Sequence, residues 1–312
     1  MRILFMGTPD IARSCLKSLI DGGCNVVAVV TGEDKPRGRG KHLTPTPVKA
    51  LAEESGIPAY TPKTLRDGSF YETLREIDPE LIAVVAYGKI LPKEVIDYPK
   101  YGCMNVHVSL LPKYRGAAPM QRAIMNGESE TGVTIMYMDE GLDTGDIISA
   151  EKFPITAEDD FETVHDKSAE IGGRMLVSAI FGAEAGTLTR TKQNDAEATY
   201  AKKIEREEAR LDLTLPAAKL DHIIRGLTPI PGAFVMNGGK MLKIAKATPE
   251  SSRPDARVGE VIAADAVGEG SITVAVGEGA LKITALIPEG KGKMTAGDYL
   301  RGRKIAVGDI LE

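Results

Sequence analysis

Apolar and polar positions along the first 186 residues alternate between two kinds of segment. Segments such as 11–19 carry apolar residues on one side of a helical repeat, with Leu16 and Leu19 on the same face, and predict amphipathic helices. Short apolar runs of the kind that forms buried strands lie between the helical segments, at 2–6, 24–30, 81–86, 103–108, 133–138 and 147–153. This alternation predicts a Rossmann-like, mostly parallel sheet with helices on both faces.

A different pattern follows residue 207. After a predicted helix at 215–226, short apolar runs are separated by glycine-rich turns, at 234–236, 241–245, 258–263, 272–276 and 281–287. Asn237-Gly238 is typical of a tight hairpin turn. Five short strands predict a small OB-like β-barrel, a fold whose members bind oligonucleotides. The sequence therefore predicts an α/β domain at 1–186, a polar linker at 187–206 and a barrel domain at 207–312.

Composition and charge narrow the class of protein. The chain has 312 residues, of which 43% are hydrophobic and 27% charged, as in an ordinary globular protein. The net charge of −5 argues against indiscriminate nucleic-acid binding. From Glu207 onward, 14 Lys+Arg balance 14 Asp+Glu, so the excess acidity lies in the first 206 residues. We see no signal peptide and no apolar run of about 20 residues, the length that spans a bilayer.

Three cysteines, at no spacing typical of a metal site, fit free thiols in a reducing compartment. We therefore expect a cytoplasmic protein, with no membrane partner, that acts as a monomer.

The most informative polar residues lie at the end of the 103–108 run. Asn105 and His107 are two positions apart, so on a strand they point to the same side, at an end where open α/β sheets bind ligands. The second feature is the turn at 139–146, where several carboxylates lie among glycines. Each taken alone has an ordinary structural interpretation, because single histidines often only satisfy hydrogen bonds and aspartates favour turns.

These residues also carry a family resemblance. Asn-Val-His at 105–107, Ser-Leu-Leu-Pro at 109–112 and Gly-Leu-Asp-Thr-Gly-Asp at 141–146 together resemble the signature of the folate-dependent formyltransferases. Arg-Gly-Ala-Ala-Pro at 115–119 and Gly-Arg-Gly-Lys at 38–41 narrow the resemblance to members that act on methionyl-tRNA. The resemblance covers nearly the whole chain, and it is densest before residue 147.

The resemblance implies transfer of a formyl group from the co-substrate 10-formyltetrahydrofolate to the amino group of initiator methionyl-tRNA, without a metal. Such acyl transfer needs a donor to the developing oxyanion and a group that takes the proton of the amine. The implied catalytic residues are Asn105 as a neutral donor, His107 as a donor when protonated, and Asp143 as the carboxylate that favours the imidazolium. Asp139 and Asp146 are expected to order the turn.

Binding residues are implied in the same way. We expect the folate to contact Ser109, Leu110, Leu111 and Pro112 on one side and the strand end at Tyr87 and Gly88 on the other. An acidic protein with a polyanionic substrate must use local basic surfaces. The expected tRNA-binding residues are Arg39 and Lys41 in a long basic loop, and Lys291 and Lys293 near the C-terminus.

Three alternatives remain open from the sequence. The first is a formyltransferase that acts on the amine of a sugar nucleotide, although so small a substrate would not need the basic loop around Arg39. The second is a dinucleotide-binding oxidoreductase, which the absence of the glycine fingerprint after Gly7 disfavours. The third is a nucleic-acid-binding module without chemistry, in which Asn105, His107 and Asp143 would come together by accident.

Overall fold

A computed structural model describes residues 1–37, 42–251, 255–302 and 305–312, without the side chains of residues 37 and 42. The described residues divide into two compact units. The first comprises Met1–Pro119, Glu130–Phe153 and His165–Ala201, and the second comprises Met120–Ser129, Pro154–Val164 and Lys202–Glu312.

The strands of the first unit include one at every predicted apolar run and several short strands outside those runs. They are β1 (Ile3–Gly7), β2 (Val26–Val30), β3 (Lys35–Arg37), β4 (His42–Thr44), β5 (Ala59–Tyr60), β6 (Leu81–Val85), β7 (Cys103–His107), β8 (Arg115–Gly116), β9 (Glu130–Tyr137), β10 (Ile147–Pro154) and β11 (Tyr200–Ala201). Across the described residues, the main sheet has seven strands in the order β10-β9-β7-β6-β1-β2-β5. Pairing is parallel from β5 to β7, and β9 is antiparallel to β7. The predicted mostly parallel sheet is confirmed.

Helices cover both faces of this sheet. They are α1 (Asp10–Asp21), α2 (Pro47–Glu54), α3 (Ser69–Ile77) and α4 (Lys93–Ile96), together with the long α6 (Phe161–Ala185). The intervening helix α5 (Pro119–Asn126) falls almost entirely in the second unit. On one face, Leu4 and Met6 of β1 join an apolar cluster with residues of α3 and α4. On the other, Gly172 of α6 lies so close to β7 that an added Cβ would be 2.8 Å from Val106 Cγ1. The sheet is therefore buried between two helical layers, which explains its continuously apolar strands.

The long loop predicted after β2 contains a hairpin. Strands β3 and β4 pair antiparallel, with Lys35 opposite Thr44. Two of the residues expected to bind tRNA, Arg39 and Lys41, lie outside the described residues.

The second unit contains the predicted antiparallel strands. Its elements are α7 (Ala217–Leu227), β12 (Phe234–Asn237), β13 (Lys240–Glu250), β14 (Val261–Asp265), β15 (Ser271–Ala275), β16 (Ala280–Pro288), β17 (Met294–Thr295) and α8 (Ala296–Arg301). Within the described ranges, the sheet order is β12-β13-β16-β15-β14, and β17 pairs with β16. An apolar core that includes Leu220 of α7 and Leu286 of β16 fills one side.

The last residues of the chain link the two edge strands of this sheet. Met236 of β12 exchanges backbone hydrogen bonds with Glu312, while the N–H of Val261 of β14 donates to Asp309 at 2.8 Å. Edge strands expose unpaired backbone groups, and this bridging satisfies part of both edges. It agrees with the OB-like barrel that the sequence predicted.

Each unit is built from segments that are separated in the sequence. Residues 187–201, where the sequence suggested a linker, belong to the first unit, and β11 pairs with β8 there. Residues 120–129 belong to the second unit, in which Met125 joins the apolar core and Arg122 forms an ion pair with Glu208. Among the described residues, no helix is long and apolar enough to cross a membrane.

Candidate active site

Strand β7 presents Asn105 and His107 on one face of the sheet, as their spacing predicted. Asn105 lies opposite Val84 of β6 in the parallel pairing and opposite Met136 of β9 in the antiparallel pairing. The Asn105 side chain is half-buried and, within the described part of the chain, has no hydrogen-bond partner. Its amide donor is therefore available to a ligand at the carboxyl end of β7.

His107 is buried, and each of its ring nitrogens faces an oxygen. Nε2 lies 3.0 Å from the carbonyl oxygen of Tyr114, and Nδ1 lies 3.6 Å from Oδ2 of Asp143. Both oxygens only accept, and the contact at Nε2 alone is within hydrogen-bond distance, so the neutral ring is assigned the Nε2–H that donates to Tyr114 and the lone pair at Nδ1. A proton taken up at Nδ1 would face the Asp143 carboxylate.

The environment of His107 has opposing effects on its pKa. Burial lowers the pKa, because an apolar surrounding disfavours the imidazolium, whereas the Asp143 carboxylate and the Tyr114 carbonyl raise it. The effect of burial is the largest, so the pKa falls below the ordinary imidazole value. The carboxylate acts in the direction expected from the sequence, but the resting ring is neutral at pH 7 and is able to accept a proton.

Asp143 is held in a conformation that aspartate seldom adopts. Its φ is +54°, in the left-handed region, and its Oδ2 accepts a hydrogen bond from the Gly116 N–H at 2.8 Å. Two residues on, an added Cβ at Gly145 would overlap the carbonyl oxygen of Tyr137. The turn therefore places the Asp143 carboxylate through close backbone contacts.

Asp139 has a different task in the same turn. Its Oδ1 accepts hydrogen bonds from the N–H of Gly141 at 3.0 Å and from the hydroxyl of Thr144 at 2.6 Å. These are the short-range contacts with which aspartate stabilises turns, and they agree with the ordering role expected for it.

Sequence reasoning missed the residues that support the pair. Tyr114 has a φ of +61° and supplies the oxygen at His107 Nε2, while Thr199 accepts the Tyr114 N–H at 2.8 Å. Gln193 donates to the turn that carries Asp143. Gln193 and Thr199 lie in the polar stretch 187–201, where the sequence does not distinguish them from surface residues. In this region the sequence singled out Arg115, which lies within the 115–119 motif and bonds to Gln193.

The segment expected to bind the folate follows β7 directly, and several of its hydrogen-bonding groups are bonded to other residues of the protein. The Ser109 hydroxyl donates to the carbonyl of Lys113 at 2.7 Å. Thr134 donates to the Ser109 carbonyl at 2.7 Å and accepts from the Leu111 N–H at 3.2 Å. Half-buried Leu110 and Pro112 remain as apolar surface for a flat heterocycle. The folate-binding role of these residues stays a prediction.

Tyr87 and Gly88 lie at the end of β6. Tyr87 is buried in the apolar cluster that contains Val84 and Leu91, and burial raises the pKa of its hydroxyl to about 12. That hydroxyl has no hydrogen-bond partner among the described residues. Gly88 has a φ of +80°, and an added Cβ would meet no atom within 4 Å, so backbone conformation accounts for the glycine.

In the second unit, Lys291 and Lys293 occupy the turn between β16 and β17. Both are exposed, and the Lys291 N–H closes the turn on the carbonyl of Pro288 at 3.0 Å. The structure thus presents both charges to solvent, as a phosphate-binding role requires.

Comparisons with known proteins match both parts of the chain. The "Formyl transferase" family matches residues 1–180, and "Formyl transferase, C-terminal domain" matches residues 203–304. The methionyl-tRNA formyltransferase of Lachnospira eligens is 44% identical over 316 residues, covering 100% of this chain and 99% of the relative. That of Caldanaerobacter subterraneus subsp. tengcongensis is 45% identical over 313 residues, covering 100% of both chains.

A solved structure shares the fold at low identity. It is an N-formyltransferase from Helicobacter canadensis in complex with folinic acid and dTDP-3-aminofucose, with a TM-score of 0.67 and 19% identity. The match covers 90% of this chain and 97% of that one.

Proposed function

The chain belongs to the formyl transferase family, and on that premise we propose that it formylates initiator methionyl-tRNA. The formyl group comes from 10-formyltetrahydrofolate, and the products are N-formylmethionyl-tRNA and tetrahydrofolate. Relatives at 44–45% identity that span the full chain and are named methionyl-tRNA formyltransferase support this choice of substrate. We also propose that the enzyme is cytoplasmic and acts as a monomer.

The observation that carries the chemistry is the group of three side chains at the end of β7. The Asn105 amide has no partner among the described residues, and His107 is buried between the Tyr114 carbonyl and the Asp143 carboxylate. A neutral hydrogen-bond donor beside a neutral imidazole matches what acyl transfer to an amine requires.

The reaction follows from these roles. The neutral amine of the methionyl ester attacks the formyl carbon, and the electron pair of the C=O bond moves to the oxygen. Asn105 donates a hydrogen bond to this oxyanion, and His107 accepts the proton that the amine loses. The electron pair on the oxyanion then re-forms the C=O bond, the bond from carbon to N10 of the folate breaks, and the proton held by His107 passes to N10. Asp143 stabilises the imidazolium between these two proton transfers.

The two units have separate tasks in this proposal. The first binds the folate along 109–112 and the end of β6, and the second binds the tRNA backbone through exposed cations such as Lys291 and Lys293. The balanced charge from residue 207 onward supports this division, because that part of the chain lacks the acidic excess of the first 206 residues.

One assay tests the proposal against its closest rival. Labelled formyl transfer from 10-formyltetrahydrofolate is measured with methionyl-tRNA and, in parallel, with an amino-sugar nucleotide of the kind bound by the Helicobacter canadensis protein. We expect label in methionyl-tRNA alone. Transfer to the sugar nucleotide with none to methionyl-tRNA would replace this function by the rival one.

A further inference from the structure

Gln193 bridges two parts of the first unit that carry the catalytic groups. Its Nε2 donates to the carbonyl oxygens of Asp143 at 2.8 Å and of Gly145 at 2.7 Å. Its Oε1 accepts from Arg115, from Nε at 3.1 Å and from a terminal nitrogen at 2.8 Å. Both ends of this one amide are therefore fully used.

Arg115 fixes which way the amide points. The guanidinium only donates and the two turn carbonyls only accept, so a single orientation of Gln193 satisfies all four contacts. Arg115 is 2% exposed, and its guanidinium also forms an ion pair with Asp195 at 2.7 Å. A buried guanidinium with several bonds is costly to move. This makes it a firm support for Gln193.

These contacts close a ring around the Asp143 carboxylate. Gln193 holds the main chain of Asp143, while the N–H of Gly116, the residue after Arg115, holds its side chain at 2.8 Å. Thr191 is tied to Ile147 by two backbone hydrogen bonds at 2.8 and 2.9 Å. The left-handed φ of Asp143 is an uncommon conformation that persists only where the surroundings enforce it.

We propose that Gln193 is a positioning residue that sets where the Asp143 carboxylate meets His107, with Arg115 orienting the Gln193 amide. The inference rests on the proposed function, because it assigns Gln193 to the same reaction. Gln193 touches neither substrate in this role and acts through Asp143 alone.

The test uses an isosteric change. Gln193→Glu keeps the shape and the acceptor for Arg115, but it replaces the donor that faces two carbonyl oxygens with an acceptor. We expect kcat for methionyl-tRNA formylation to fall about 10²-fold, the effect of a misplacement of about 1 Å. The KM for the folate should stay at the wild-type value, whereas the Tm should fall, because two hydrogen bonds to the turn are lost.

Asn194→Asp is the matched control, because it adds the same charge one residue away. The Asn194 oxygen accepts from the Ala196 N–H at 3.2 Å, a contact that aspartate keeps, whereas the donation of the Asn194 amide to exposed Glu197 at 2.9 Å is lost. The control therefore adds a charge and removes a donor, as Gln193→Glu does, but without a contact to the Asp143 turn. We expect wild-type kcat for this variant. An equal loss in both variants would mean that added charge, and not position, causes the effect, and would overturn the proposal.

Two further readouts separate positioning from general stability. Gln193→Glu combined with Asp143→Asn should be no slower than Asp143→Asn alone, whereas multiplied losses would mean that Gln193 does not act through Asp143. Crystal structures of both proteins should show that the Asp143 turn is displaced in Gln193→Glu relative to wild type. A turn in the same position would contradict the proposal. The structural comparison holds even if wild type fails to formylate methionyl-tRNA, an outcome that would refute the proposed function alone.

Discussion

Two turns of this chain join neighbouring strands in different ways. The 139–146 turn, between β9 and β10, is fastened by side chains of the turn itself and by Gly116 and Gln193. The 289–293 turn, between β16 and β17, carries exposed Lys291 and Lys293, which form no ion pair within the described ranges. The first turn fixes the position of one carboxylate through several hydrogen bonds, whereas the second exposes two charges to solvent.

The difference predicts two kinds of sensitivity. Chemistry at the first turn should fail when an atom moves, because effective orientation is lost over about 1 Å. Binding at the second should follow the number of charges and the salt concentration, because phosphate attraction is long-ranged and non-directional.

The largest effect should come from the side chains that the first turn serves. Asn105→Ala should lower kcat by about 10²–10³, the cost of losing one oxyanion donor in well-studied enzymes. His107→Ala should cause a loss of similar size, because general acid–base catalysis contributes about 10²–10⁴. Folate affinity should stay near wild type, because folate binding is assigned to 109–112 and the end of β6, and Asn105 acts on the oxyanion that forms only during transfer. Single-turnover formylation and folate titration measure the two quantities, and wild-type turnover in either variant would refute the assigned roles.

Within the same turn, two aspartates should differ. Asp143→Asn removes the charge that stabilises the imidazolium, so we expect a loss as large as that of His107→Ala. Asp139→Asn keeps an oxygen that can accept from Gly141 and Thr144, so its loss should be milder. Comparing kcat of the two variants checks the assignment, and a reversed order would make Asp139 the catalytic carboxylate.

One glycine in each turn sharpens the contrast. Gly145→Ala places a methyl group against the Tyr137 carbonyl, whereas at Gly292 an added Cβ meets nothing within 4 Å. We expect Gly145→Ala to lower kcat about 10²-fold by displacing Asp143. Gly292→Ala should leave kcat and tRNA affinity unchanged. If both variants resembled wild type, the first turn would tolerate displacement and the comparison would fail.

The pKa of His107 tests the protonation state directly, although the expected change is smaller than the losses of kcat predicted above. Burial lowers its pKa, so the titration midpoint of the His107 ring by NMR should lie below the ordinary value of about 6.5. Because the Asp143 carboxylate raises this pKa, Asp143→Asn should move the midpoint further down. His107→Ala identifies the signal among the four histidines. A midpoint above 6.5, or one that rises in Asp143→Asn, would contradict the neutral resting ring.

The sequence predicts the parts of this arrangement that depend on local pattern. Period-two spacing placed Asn105 and His107 on one face of β7, and helical periodicity predicted α1. Gln193 escaped prediction because its partners lie about 50 and 80 residues away in sequence, and a polar side chain in a polar segment has no periodicity. The role of residues 308–312, which bridge β12 and β14, is likewise set by distant backbone pairing.

The smallest expected effect concerns the second turn. Replacing Lys291 and Lys293 by alanine removes two exposed charges without touching the catalytic group. We expect weaker binding of methionyl-tRNA at low salt, and a log–log salt dependence that flattens by less than about one unit per lost phosphate contact. The single-turnover rate at saturating tRNA should match wild type, because the nucleophile is still placed by the first unit.

Lys282→Ala is the control for this pair, because Lys282 on β16 has the carboxylate of Glu250 at 4.0 Å and is less available to phosphate. Its salt dependence should equal that of wild type. Affinity measured over a salt series without the formyl donor gives the slope, and the saturated rate gives the chemistry. An unchanged slope in the Lys291/Lys293 variant would remove this turn from the tRNA interface. A lower saturated rate would mean that the second turn also positions the substrate, so that charge and placement are not divided between the two turns as their contacts indicate.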